Sequence, residues 1–254
     1  MLSSFGRLRE YDERDGSGST PSRPIHPKMK LAVIFGLVVL VTGGWAFERQ
    51  TRSGNERALG AVATELAGRP AHVRCESFWH WVVNVGGNLG DVPFPDGRAA
   101  DYTNITRGMC GELARFRRQP ERPELACLQQ FDWTRFDPGD PAMAACSKSA
   151  NDMAEALITL THESMHIRGW ADEAVAQCYA IQEVAFTVEQ LGGSRAEGAA
   201  VAAYALALQA YMPTDYQSGD CAAGRSLDLR PETRAWPAED APGPLPAGMY
   251  GPEL

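Results

Sequence analysis

Residues 157–180 read LITLTHESMHIRGWADEAVAQCYA. Two of the chain's five histidines, His162 and His166, stand four apart here, with Glu163 beside the first. Residues i and i+4 project from one face of an α-helix, so both imidazoles can reach one ion. Glu163 is turned about 100° around the helix axis from His162. It cannot join the imidazoles as a close ligand, but it can reach a metal-bound water and act as general base. Burying two imidazoles and a carboxylate in an apolar stretch is costly unless something satisfies them. The spacing predicts a zinc site on His162 and His166, with Glu163 as the catalytic group.

The apolar pattern around this motif predicts three successive helices. The first runs from Ser149 or Asn151 to Ile167, capped by Asn151 or Asp152, with Met153, Leu157, Leu160, Ser164 and Ile167 on one face. Gly169 ends it. The second runs from about Asp172 to about Leu191, with Val175, Cys178, Tyr179, Gln182 and Phe186 on one side. Gly192 and Gly193 stop it. The third opens at Ser194, where Glu197 completes a capping-box pattern, and stops before Pro213.

Two adjacent carboxylates compete for the third ligand position. The run HESMHIRGWAD fits H-E-x-x-H-x-x-G-x-x-D and resembles the metzincin layout. There a glycine turns the chain back, which implies Asp172 as ligand. In DEAVAQCYAIQ, a Glu opens the second helix and is followed by small residues and Gln177. That resembles the gluzincins, whose third ligand is a Glu on a following helix, and implies Glu173. Asp172 is also a good N-cap, which would leave Glu173 in the first turn, pointing back toward the histidines. Glu173 is favoured and Asp172 is retained as the alternative. Over residues 151–182 the chain is similar to membrane-anchored bacterial proteins of the zincin type. The resemblance implies a zincin-like fold, Zn2+ as cofactor and a peptide or protein as substrate.

Outside this region, 44% hydrophobic and 22% charged residues among 254 suffice for one sizeable core. A net charge of -8 argues against a nucleic-acid partner, whose binding face is usually basic. Residues 1–30 are polar and rich in Gly, Ser and Pro, and read as a disordered cytoplasmic tail. Leu31–Phe47 is seventeen residues without a charge, flanked by Lys28 and Lys30 before it and closed by Trp45 and Phe47. As a helix it spans roughly 25 Å, near the short end for one membrane crossing. All six cysteines follow this run and none precedes it, which fits disulfides in an oxidising, extracytoplasmic space. Fifteen pairings are open.

The expected organisation is a stalk over 48–70 and an extracytoplasmic domain over 71–254, mainly α with a small β element. Two or three short strands are expected in 71–100, where His72 and His80 read as half-buried strand residues rather than ligands. Short helices are expected near Met109–Arg117 and Glu124–Gln130, and Cys221 should tie a Pro- and Gly-rich tail to the core. Arg168, Tyr179, Tyr204 and Tyr216 are candidate oxyanion donors. The functional expectation is a membrane-anchored zinc peptidase. A non-catalytic scaffold stabilised by zinc and disulfides is the alternative, and a helical domain without metal is a third possibility. Glu163 favours the enzyme, because a structural zinc site needs no base beside it.

Overall fold

The computed structural model describes residues 27–77, 89–130, 146–232 and 236–237. The chain divides into two compact units, Met1–Phe47 and Glu48–Leu254. Helix α1 covers Pro27–Ala67. Among the described residues no helix is long and apolar enough to cross a membrane. Most side chains of 31–47, where the sequence predicts a crossing, lie outside the described residues, as do residues 1–26 of the expected cytoplasmic tail.

The second unit is mainly helical with a small three-stranded sheet of order β1–β3–β2. Strand β1 is His72–Cys75, β2 is Gly90–Asp91 and β3 is Tyr102–Ile105. β1 runs parallel to β3, His72 opposite Tyr102, and β2 runs antiparallel to it, Gly90 opposite Ile105. Strand alternation sends Val73 and Cys75 inward, so His72 is exposed rather than half-buried. His80 lies outside the described residues. β3 falls in 101–148, where the sequence pattern suggests only short helices. Its four residues, YTNI, alternate correctly but are too few to stand out from the flanking turns.

Helix α2 spans Arg107–Arg118, and a 3₁₀ turn at Pro123–Leu125 leads into the short α3, Ala126–Gln130. The three predicted helices follow as α4 (Lys148–Arg168), α5 (Glu173–Gln190) and α6 (Arg195–Gln209). α4 is capped by Ser147, whose hydroxyl accepts from the Ala150 amide at 3.2 Å, and not by Asn151 or Asp152. Asp152 instead takes an ion pair from Lys148 at 2.6 Å. The disulfide at Cys146 anchors the chain one residue before the cap, which brings the helix start forward.

α4 touches α2, α5, α6 and two strands. It is therefore buried around its whole circumference from Met153 to Ile167, except at Glu155, rather than along one face. Gly169 ends it at φ 125, and Asp172 caps α5 by accepting from the Val175 amide. The capping box of Ser194 and Glu197 opens α6. The small residues of α6 let it lie close against α5. A Cβ on Gly198 would come within 3.1 Å of the Ala185 carbonyl oxygen.

The region expected to be a stalk contributes to the core. Leu59, Val62, Ala63 and Leu66 follow helical spacing and are buried. The Thr64 hydroxyl accepts from the Ala71 amide at 3.0 Å, which folds the chain back into β1. Arg69 donates to the carbonyls of Ile167, Ala99 and Ala100, joining the end of α4 to the loop before β3. Three disulfides use all six cysteines: Cys75–Cys110, Cys127–Cys146 and Cys178–Cys221. The last ties the segment after α6 to α5, as Cys221 suggests in sequence.

Candidate metal centre

α4 places His162 and His166 one turn apart, and the Gly169 turn brings the start of α5 back over them. Their Nε2 atoms lie 2.9 Å apart, and Glu173 Oε2 lies 3.0 Å from the first and 3.2 Å from the second. These three donor atoms form a group that could hold a metal ion. Both imidazoles are 6% exposed or less, so water does little to screen them.

Each ring is oriented through its other nitrogen. His166 Nδ1 lies 2.6 Å from the Trp170 carbonyl oxygen, and His162 Nδ1 lies 3.0 Å from Gln177 Oε1. Both partners accept, so each Nδ1 carries the proton. In the neutral rings each Nε2 then presents a lone pair to the shared space. Burial and the neighbouring His162 both push the His166 pKa down, against a proton on that nitrogen. Where His162 Nε2 carries a proton instead, its bond to Glu173 holds that carboxyl down to about 2, with partial burial opposing and His166 adding to it. The carboxylate is therefore ionised at neutral pH.

Of the two adjacent acids, Glu173 joins the histidines. The Asp172 carboxylate accepts the Val175 amide at 2.9 Å and serves as N-cap. That division follows from helix geometry. The cap residue points along the helix end, while the residue after it points out from the first turn.

Glu163 lies beside this group but is held by other parts of the fold. It is 5% exposed, and its Oε2 has no hydrogen-bond partner among the described residues. β2 crosses directly over it. A Cβ on Gly90 would lie 2.8 Å from Glu163 Oε1, so only glycine leaves room there. Burial first, then the charges of Glu173 and Asp91, raise the Glu163 pKa to about 8, while a bond from Thr103 pulls the other way.

A cavity of about 640 Å³ opens onto these groups. Its walls include Gly90, Asp91, Glu155, Ile158, Leu208 and Tyr216. Tyr216 stacks on His162 with ring centroids 5.6 Å apart. It is the one candidate oxyanion donor that lines the cavity. Arg168 donates to the Leu66 carbonyl, Tyr179 packs edge-on against Trp170, and Tyr204 donates to Glu155. Trp170 thus contributes through its carbonyl, while its ring packs on Tyr179.

Gly90, Asp91, Thr103 and Glu155 carry no functional signal in the sequence. Gln177 had one, since it lies four residues beyond Glu173 on the same face of α5. No family model, curated protein or solved structure matches the chain.

Proposed function

We propose that the chain is a membrane-anchored, extracytoplasmic zinc peptidase of zincin type. The observation that carries this is the meeting of three lone-pair donors, His162 Nε2, His166 Nε2 and Glu173 Oε2, within 3.2 Å of one another. Such atoms repel unless a cation lies among them. Tetrahedral zinc with bonds of about 2.0–2.1 Å needs donors roughly 3.3 Å apart, close to the separations here. Two imidazoles and one carboxylate is also the donor set of catalytic zinc sites, which keep a position open. Gln177 and the Trp170 carbonyl supply the outer support that such histidines use.

Bound zinc would supply a Lewis acid and an acidified water. Glu163 takes the proton of the attacking water. It then passes that proton to the amine as the peptide C–N bond breaks. Its buried carboxylate holds and releases a proton near neutrality, and a divalent charge nearby draws that value down. Tyr216 lines the same cavity with its hydroxyl bonded to Glu173, from where it can turn to donate to the developing oxyanion. The uncharged run Leu31–Phe47 and the confinement of all cysteines to its C-terminal side support the anchor and the compartment.

Three disulfides would equally suit a non-catalytic scaffold. A buried carboxylate oxygen beside the metal group, with no partner among the described residues, would serve no purpose there. Metal analysis should find about one zinc per chain. Glu163→Gln should retain that zinc and abolish hydrolysis of casein. Hydrolysis at the wild-type rate would exclude Glu163 as the base.

A further inference from the structure

The cavity extends along α4 past His162 to Ile158 and Glu155. Glu155 precedes His162 by seven residues, two turns along nearly the same face, or roughly 10.5 Å along the axis. Ile158, Ala205, Leu208 and Tyr211 line the cavity with apolar surface. Among the described residues the lining holds four carboxylates, Asp91, Glu155, Glu163 and Glu173, and neither lysine nor arginine. Glu163, which lines the same cavity, is 5% exposed, and its buried Oε2 has no hydrogen-bond partner among the described residues.

Glu155 is half-buried, and among the described residues it has no ion-pair partner. The Tyr204 hydroxyl, buried beneath it, donates one long bond at 3.4 Å. Lys148, whose charge reaches Glu155, is bonded at 2.6 Å to both oxygens of Asp152. Burial and the charge of Asp152 push the Glu155 pKa up.

We propose that this end of the cavity is a subsite for an arginine or lysine side chain of the substrate, and that Glu155 is its specificity-determining acceptor. The assignment rests on the peptidase function for its substrate class. The apolar walls suit the methylene stem, while the carboxylate suits the cationic head. An extended arginine side chain reaches roughly 7 Å, taking bonds of about 1.5 Å. From a residue beside the scissile bond it therefore covers most of the distance to Glu155. The excess of negative charge also attracts cationic peptides into the cavity. A neutral side chain would fill the apolar space but leave Glu155 desolvated and unpaired.

The test uses the zinc-loaded full-length chain and a peptide library, with cleavage sites mapped by mass spectrometry. Wild type should cleave beside arginine and lysine. Glu155→Gln should lower the ratio of kcat/KM for an arginine peptide over its norleucine counterpart about 10- to 100-fold. Glu155→Asp should restore part of that ratio, and Glu155→Arg should move preference toward aspartate and glutamate. Retention of zinc and of the far-UV spectrum checks that the variants are folded. Cleavage without basic preference, or an unchanged ratio in Glu155→Gln, overturns the subsite while leaving the peptidase intact. If no peptide is cleaved, the peptidase function fails, and calorimetry with arginine amide tests the subsite alone. Binding that weakens in Glu155→Gln upholds the cation site. Binding no tighter than that of norleucine amide overturns it.

Discussion

Gly90→Ala should disable the centre without touching a ligand. Gly90 does not occupy the left-handed region, so alanine can adopt its backbone and the effect is steric. The new Cβ would sit 2.8 Å from Glu163 Oε1, 2.9 Å from Cγ and 3.0 Å from Cδ. An ordinary contact begins at 3.4 Å, so at Oε1 the two must separate by 3.4 − 2.8 = 0.6 Å. Glu163 is 5% exposed and has little space to retreat into, so β2 must also give way. Overpacking of this kind costs about 1–3 kcal/mol. For a unit of this size that is a fall in Tm of roughly 2–12 °C. A displacement approaching 1 Å at a reacting group costs up to about 100-fold in rate. We therefore expect kcat to fall about 10- to 100-fold while one zinc per chain is retained. Scanning calorimetry, metal analysis and peptide hydrolysis read the three quantities. Gly111→Ala is the control, because its Cβ would meet nothing within 4 Å. Unchanged stability and activity in Gly90→Ala would refute the close packing of β2 on Glu163.

Equilibrium dialysis should separate the two acids. Glu173→Ala should lose more zinc affinity than the roughly 10- to 100-fold typical of outer-sphere partners, whereas Asp172→Ala should keep zinc and lose about 1 kcal/mol as a missing cap; the reverse order would overturn Glu173 as ligand. Arg122, in the loop after α2, joins α2 to α6 through a bond to the Phe116 carbonyl and two to Glu197, at 2.8 and 3.1 Å, with a further bond to the Gly192 carbonyl. Its side chain is 3% exposed, so Arg122→Met should cost about 3–5 kcal/mol in denaturant unfolding by stranding Glu197, and a loss below about 1 kcal/mol would refute this. Burial pushes the Glu197 pKa up, but the bonds from Arg122 and Ser194 outweigh it and hold the carboxyl below its usual value. The stability it contributes is therefore complete above the ordinary carboxylate pKa of about 4.3 and is lost as pH falls through the lower folded value. Wild type should lose its advantage over Glu197→Gln in that acid window, and a constant difference down to about pH 2 would contradict it.

The features legible in sequence are those set by neighbours a few residues apart. The spacing of His162 and His166 follows from the helical repeat. The stop at Gly169, the cap at Asp172 and the Ser194–Glu197 box follow from unsatisfied backbone groups at helix ends. Asp172 and Glu173 could be ranked for the same reason, since one side chain cannot both cap α5 and face α4. Where several residues of equal local merit compete, as at Ser147, Asn151 and Asp152, local chemistry does not decide, and the start of α4 comes out differently from expectation.

Tertiary structure decided what surrounds the motif. Gly90, Asp91 and Thr103 reach Glu163 from strands about 60 to 73 residues away, and nothing in their own sequence marks them as neighbours of a carboxylate. The same holds for the choice of three disulfides among fifteen pairings, for the burial of α4 on every side, and for residues 59–66 entering the core. Helical spacing fixes which side chains share a face. Only packing fixes what that face meets, and hence which buried charges are paired, which are desolvated, and where a substrate can enter.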